Sequence, residues 1–295
     1  MESEKPKSTY IIATPIKNEV KYIEATMKSV IKQTVKPLVW LLVSDESTDG
    51  TDELIERYAK KHSFIKLLPY KYDGESELIS AKKAYAARYG LANTKYKKFD
   101  FFCGMDADVT FPENLFEELL KRCEADPKLG VTGGHIYNVF EKGTGPYFNT
   151  DHSIGGPLQF FRRKCYEDIG GWQPVGMEDG LAVTSARMHG WKARSWSDLR
   201  ILHHKPSGIK GRNIYKFKFI LGRNEYLNGD HPAYHFIRSF RYLFWRPILI
   251  GPFLRIAGFW KAKLSGQEIT TPEPLRSYLR KEQLRKLNIF KKFEY

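Results

Sequence analysis

Two carboxylates one residue apart, Asp106 and Asp108, follow the apolar run 101–105 and precede Pro112. A run of that length bounded by turn signals reads as a strand buried on both faces. Carboxylates just beyond the end of such a strand suit a hard divalent cation. Mg²⁺ takes one or two protein carboxylates and fills its other positions with water and phosphate oxygens. The same pair also suits an acidic turn, because aspartate is a common turn residue. A second acidic pair, Glu178 and Asp179, opens a helical pattern with Leu181, Ala182, Ser185 and Met188 on one side and Gly190 as its stop. Acids there can move protons, or they can simply complement a helix dipole. Beyond a further strand pattern, His203 and His204 stand side by side, either as metal or phosphate contacts or as structural residues.

The elements that must position these residues follow from periodicity. Residues 9–14, 38–43 and 65–68 read as strands, with Pro15 ending the first and Pro69 the third. Residues 19–33 carry Val20, Ile23, Met27, Val30 and Ile31 at helical spacing. The polar turn SDESTDGT, 44–51, opens a second helix, for which Thr48, Asp49 and Thr51 can each serve as N-cap. Residues 81–92 are Ala-rich and helical, and Pro112 starts a helix through Cys123. The order βαβαβαβ implies right-handed crossovers and a parallel sheet covered on both faces. The polar turns after strands one, two and four then gather at one edge, where a nucleotide is expected. Neither G-x-G-x-x-G nor a P-loop occurs. From Val131 the Gly- and aromatic-rich segment GGHIYNVFEKGTGPYFNTDHSIGG shows little periodicity and reads as a binding loop over the sheet edge. Residues 157–163 read as a short strand, 165–169 as a short helix and 191–197 as a strand.

With 295 residues, 42% hydrophobic and 14% aromatic, the chain is globular and not disordered. Residues 1–8 are charged and lack the apolar core of a secretory signal. Cys103, Cys123 and Cys165 are too few and too scattered for a disulfide framework or a clustered metal site, so a reduced cytoplasmic setting is expected. Charge is uneven: residues 205–295 hold 19 Lys and Arg against 6 Asp and Glu, a net +13 of the chain's +14. Such asymmetry points to an anionic partner, nucleic acid or an anionic membrane surface. The most hydrophobic stretch, 236–260, is interrupted by Arg238, Arg241, Arg246 and Arg255, and each arginine at a bilayer centre costs roughly 2.5–3.5 kcal/mol. Pro247 and Pro252 also break it. The pattern fits helices lying in a membrane interface with Lys and Arg reaching head groups; ordinary packing on the domain is the alternative. Residues 272–287 form a final basic amphipathic helix.

Taken in order, TPIKNE (14–19), VSDESTDGT (43–51), KAYAARYG (83–90), DAD (106–108), IGGW (169–172) and EDGLAVTSARMHGWK (178–192) resemble the motifs of the GT-A family 2 glycosyltransferases, inverting enzymes that use nucleotide-sugar donors. The resemblance covers about residues 10–206. Ser44 stands where that family often has an Asp, Glu46 where it often has Gly, and Arg88 replaces its usual Asn. The resemblance implies an α/β GT-A fold, a Rossmann-like mostly parallel sheet flanked by helices. Residues 1–206 would be the catalytic domain, with a nucleotide-sugar half at about 9–130 and an acceptor half at about 131–206. Beyond the resemblance, the charge and apolar pattern of residues 207–295 reads as a helical, basic, membrane-interface extension.

The same resemblance implies roles. Asp108 and Asp106 would hold Mg²⁺ or Mn²⁺, with Asp106 also reaching the ribose and His203 or His204 adding a contact. Pro15, Glu19 and Asp45 would meet the nucleoside and Lys83 the phosphates. Asp179 would be the catalytic base, with Glu178 holding position or contacting the acceptor. Gly155, Gly156 and Trp172 would shape the acceptor pocket. No QxxRW-like segment follows the acidic pair, so transfer of a single sugar is expected, in cell-surface glycan, polysaccharide or lipid-linked glycan synthesis. The setting implied is the inner face of the cell membrane, without a nucleic-acid partner. Two alternatives remain. A sugar-nucleotide nucleotidyltransferase would want a Gly-rich loop that TPIKNE does not offer. The other is a non-catalytic nucleic-acid- or membrane-binding protein of the same fold.

Overall fold

The structure is a computed structural model and describes residues 6–74, 79–141, 143–146, 149–175, 177–205, 213–241, 243 and 247–287. The chain divides into two compact units, Met1–Pro174 with Glu178–Lys205, and Val175–Met177 with Pro206–Tyr295.

In the first unit β1 (Tyr10–Ile16), α1 (Val20–Ile31), β2 (Val39–Asp45), α2 (Thr51–Ala59), β3 (Ile65–Tyr70), α3 (Ile79–Asn93) and β4 (Phe101–Met105) alternate as the sequence implies. Then follow β5 (Val109–Thr110), α4 (Leu115–Ala125), β6 (Leu129–Phe140), β7 (Gly143–Pro146), β8 (Leu158–Arg162), α5 (Arg163–Asp168), α6 (Glu178–Met188) and β9 (Lys192–His203). The strands form one sheet in the order β3-β2-β1-β4-β8-β6-β9-β5, with β7 on β6. It is mixed. β1 to β4 pair in parallel, and antiparallel pairing enters where β8 meets β4 and β6.

Alternation along the strands fills two cores. Tyr10, Ile12, Trp40 and Leu42 face one side, with residues of α1, α2 and α4. Ile11, Ala13, Leu41 and Val43 face the other, with Ala84 and Ala87 of α3 and Ala182 and Ala186 of α6. Arg162 spans the first side's rim: it donates to the carbonyls of Cys123 and Leu129 and stacks over Phe101 at 5.1 Å.

Three expectations need correction. Pro15 does not end β1, which continues to Ile16; beyond Ala13 only β2 pairs with it, so a missing N–H is tolerated. Pro69 likewise lies inside β3, an edge strand. The Gly-rich segment after Val131 is a loop only in its second part, 149–156; its first part is the long strand β6 and its partner β7. A Cβ on Gly134 would lie 2.2 Å from the carbonyl oxygen of Leu199, so the glycines there permit a close strand approach at a bulge.

The second unit is helical among its described residues: α7 (Ile214–Leu227), α8 (Pro232–Phe240), α9 (Ile250–Leu264) and α10 (Leu275–Leu287). Helices α7 and α9 cross backbone to backbone. A Cβ on Gly222 would sit 1.8 Å from the Arg255 carbonyl oxygen, and one on Gly258 2.0 Å from that of Phe219. Glu225 is fully buried at this crossing. Its carboxylate takes a two-point bond from the Arg255 guanidinium, accepts from His235 Nδ1 at 3.0 Å, and lies 3.6 Å from Arg238. Burial alone would raise Glu225, but Arg255, His235 and Arg238 outweigh it and bring the carboxyl down to about 2. Arg255 and Arg238 therefore serve the interior, contrary to the head-group role expected from their spacing; Arg246 lies outside the described residues. No helix among the described residues is long and apolar enough to cross a membrane.

Candidate functional site

The carboxyl edge of the parallel strands is built by a lattice of short polar residues. Asn18 has φ +56°, a conformation asparagine tolerates, and its Oδ1 accepts the Thr48 N–H at 2.8 Å. Thr51 Oγ1 accepts the Glu19 N–H at 2.9 Å and Asp49 Oδ2 that of Val20 at 3.2 Å. Asp49 and Thr51 thus cap α1, while Asp49 Oδ1 also accepts the Thr51 N–H at 3.1 Å at the start of their own helix, whose N-cap is Gly50. Their function is to fix the start of α1 and with it Glu19. Glu46 has φ +50°, which is why glycine suits that position so well.

Asp106 and Asp108 stand on the turn after β4. That turn is tied down by Thr26 Oγ1 donating to the Ala107 carbonyl at 2.8 Å and by the His204 N–H donating to that of Asp108 at 2.8 Å. The short pairing of β5 with β9, absent from the sequence reading, delivers the histidines. Asp106, Asp108 and His203 each offer one ligand atom, and these atoms lie within 4.8 Å of one another. His203 Nε2 is 3.5 Å from Asp108 Oδ2, while its Nδ1 meets Asn138 Oδ1 at 3.1 Å. An amide oxygen only accepts, so Nδ1 carries the hydrogen, and in the neutral ring Nε2 is left with its lone pair. His204 points elsewhere, with Nε2 2.8 Å from Thr110 Oγ1. The adjacent histidines are thereby separated: His203 belongs to the acidic cluster.

Two buried carboxylate oxygens here, Asp108 Oδ1 and Glu19 Oε2, have no hydrogen-bond partner. Buried orphan oxygens are costly unless a cation meets them. Two carboxylates and an imidazole nitrogen form a donor set that fits a divalent metal.

Lysines border the acids. Lys83 Nζ is 2.6 Å from Asp106 Oδ1 and Lys205 Nζ 2.7 Å from Glu19 Oε1. Burial opposes the Lys83 charge, but Asp106, Glu178 and Asp108 outweigh it and hold its proton above the usual lysine range. Burial raises Glu19; Lys205 pulls it down, and Asp108 and Asp106 push it up again. Further along the edge, Asp45 accepts from Lys17 at 3.1 Å and from the Tyr72 N–H at 3.0 Å. Pro15 lies beside it, in register with Val43 of β2.

Glu178 and Asp179 open α6, half-buried. Burial raises both carboxyls; Asp179 adds to the effect on Glu178, and Lys83 opposes it on each. The Gly156 and Gly180 N–H groups bond the Asp179 carboxylate. Gly156 is thus a neighbour of Asp179, and Gly155 precedes it on the same turn. Trp172 lies elsewhere: it is 4% exposed and packs so closely on Gly104 that a Cβ there would come within 2.1 Å of the ring. It offers no open face to a sugar, contrary to expectation. Its Nε1 instead donates to Gln159 Oε1 at 2.9 Å, and Gln159 Nε2 donates to the Asp179 carbonyl at 3.1 Å. Trp172 and Gln159 therefore brace the start of α6. Asn138, Gln159, Lys17 and Lys205 carry no local sequence signal, since each meets a partner 20 to 186 residues away.

A parallel half-sheet with a polar carboxyl edge, an acidic cluster after β4 and an acidic helix start define a GT-A-like α/β fold with a candidate metal site. The glycosyl transferase family 2 profile matches residues 11–172, and the chain belongs to that family. Among curated relatives, the cholesterol galactosyltransferase of Borreliella burgdorferi is 30% identical over 109 residues, 37% of this chain and 27% of the relative. The poly-beta-1,6-N-acetyl-D-glucosamine synthase of Staphylococcus aureus is 24% identical over 186 residues, 57% of this chain and 42% of the relative. The chain thus spans well under half the length of these relatives. The mannosyltransferase PcManGT of Pyrobaculum calidifontis, solved with GDP-Man and Mn²⁺, shares the fold with TM-score 0.58 and 18% identity over 97% of this chain and 82% of that one.

Proposed function

We propose that the chain moves a single sugar from a nucleotide-diphosphate sugar to an acceptor hydroxyl, with inversion at the anomeric carbon. The observation that carries this reading is the cluster of Asp106, Asp108 and His203, with the orphaned Asp108 oxygen, set between the Asp45 edge and the Asp179 helix start. A divalent cation held there would stabilise the charge that develops on the leaving diphosphate. The imidazole nitrogen favours Mn²⁺ over Mg²⁺, which prefers oxygen ligands alone.

The chain's own residues supply the rest. Asp45 and Pro15 border the nucleoside, with Asp45 accepting a base N–H. Lys83, charged under all ordinary conditions, faces the phosphates. Asp179 takes the acceptor hydroxyl proton as that oxygen attacks the anomeric carbon; the bond to the diphosphate breaks and the nucleoside diphosphate leaves. Its raised proton affinity brings it toward the working pH, as a general base requires. Glu178 holds the acceptor. Relatives named for a sterol galactosyltransferase and a polysaccharide synthase support a lipid or glycan acceptor.

The test is a panel of nucleotide-sugars with Mn²⁺, scored by nucleoside diphosphate release and by the anomeric configuration of the product. Asp179→Asn should bind donor and fail to transfer. Near-normal turnover in that variant, or retention of configuration, overturns the reading.

A further inference from the structure

Helix α9 is apolar on two sides. Gly251, Arg255, Gly258, Phe259 and Ala262 face inward. On the outside, Ile250, Phe253, Ala257, Trp260 and Leu264 recur at intervals of 3, 4, 3 and 4 residues, and all are exposed. Phe253 is 60% and Leu264 84% open. A helix apolar all round is normally covered on all sides. The stripe runs about 21 Å at 1.5 Å per residue. At its start it continues onto α8: Phe240 meets Phe253 at 6.0 Å and Phe236 at 5.1 Å, and Phe236 and Ile237 are exposed. A contiguous exposed apolar surface of this kind marks an interaction site.

Charge identifies what covers it. Of this unit's five acids among the described residues, Glu225, Asp230 and Glu282 are buried, and Glu268 and Glu273 are exposed beyond the end of α9. Lys261 and Lys263 flank the stripe, exposed, with the Lys263 ammonium 4.6 Å over the Trp260 ring. Arg241, just past α8, is exposed as well. A second copy would bring the same segment, net +13 over residues 205–295, against itself. An anionic bilayer meets both features at once. Aromatic and aliphatic side chains enter the headgroup–acyl boundary, and lysines reach the lipid phosphates.

We propose that α9, with the exposed end of α8, docks the protein peripherally on an anionic bilayer surface, α9 lying in the plane of the interface. At 15 residues it is too short to span. This stands apart from the transfer reading, and either can fail alone.

Flotation of the full chain with vesicles tests it. The chain should float with phosphatidylcholine vesicles containing phosphatidylglycerol, stay behind with phosphatidylcholine alone, and be released by high salt. Leu264→Asp, at a fully solvated position, and Phe253→Asp should each lower the floated fraction about tenfold without changing Tm or nucleotide-sugar binding. Four results overturn the proposal: no flotation with anionic vesicles; flotation equal on both vesicle types; flotation unchanged in both variants; or a wild-type dimer or RNA complex that these variants abolish.

Discussion

Both units bury carboxylates, and Glu225 of the helical unit is held in the opposite way to Glu19, Glu178 and Asp179 of the sheet unit. In the helical unit Glu225 is surrounded by Arg255, His235 and Arg238, and these cations bring it down to about 2. In the sheet unit Glu19, Glu178 and Asp179 are pushed up, and oxygens of Glu19 and Asp108 lack partners. Five acids there, Glu19, Asp106, Asp108, Glu178 and Asp179, share two lysines, Lys83 and Lys205, within bonding distance of Asp106 and Glu19 only. The first arrangement is complete without a ligand and holds helices together. The second is deficient in positive charge, and a cation with an anionic diphosphate completes it. The opposite shifts of Glu225 and of the acids around Asp106 mark two uses of burial, although Asp230 of the helical unit is also raised by burial and keeps an oxygen without a partner.

That contrast can be broken in descending order of effect. Asp179→Asn should lower kcat by about 100- to 10,000-fold, the usual worth of a positioned base, with nucleotide-sugar binding unchanged by calorimetry. Glu225→Gln should destabilise the protein by about 3–5 kcal/mol in urea unfolding, because it removes the buried carboxylate that balances the charge of Arg255. Loss of transfer in Glu225→Gln with full stability would reverse the two assignments. A smaller effect follows from pH. The Glu225 carboxyl is depressed in the folded state, so its stabilisation is present above the unfolded value near 4.5 and is lost as pH falls toward about 2. The 2.5-unit difference corresponds to roughly 3 kcal/mol, and acid unfolding of Glu225→Gln should lack that component. Smallest, Asn138→Ala should weaken Mn²⁺ binding about 10- to 100-fold by freeing the His203 ring, without altering Tm.

The parallel half of the sheet was legible because its strands are short apolar runs and its helices keep a clean 3.6-residue period. β6 was not, because Gly133 and Gly134, needed for close strand contact, depress every strand signal. Asp106 and Asp108 were visible from spacing and context, and the structure separates His203 from His204 through Asn138 and Thr110. Asp49 and Thr51 read as local caps in the sequence; Asp49 does meet the first N–H of its own helix, and both also serve the neighbouring helix α1. Trp172 stays open in the sequence between acceptor pocket and core, since its partner, Gly104, is 68 residues away. These failures share a cause: the partner is distant in the chain, and periodicity carries no information about it.

The central claim is that the acidic cluster is completed by a cation. Calorimetric titration of Mn²⁺ into the protein, with a nucleoside diphosphate present, tests it most directly. One ion should bind per chain to wild type and none to Asp108→Asn. Absence of binding to wild type, or equal binding to both proteins, would contradict the account.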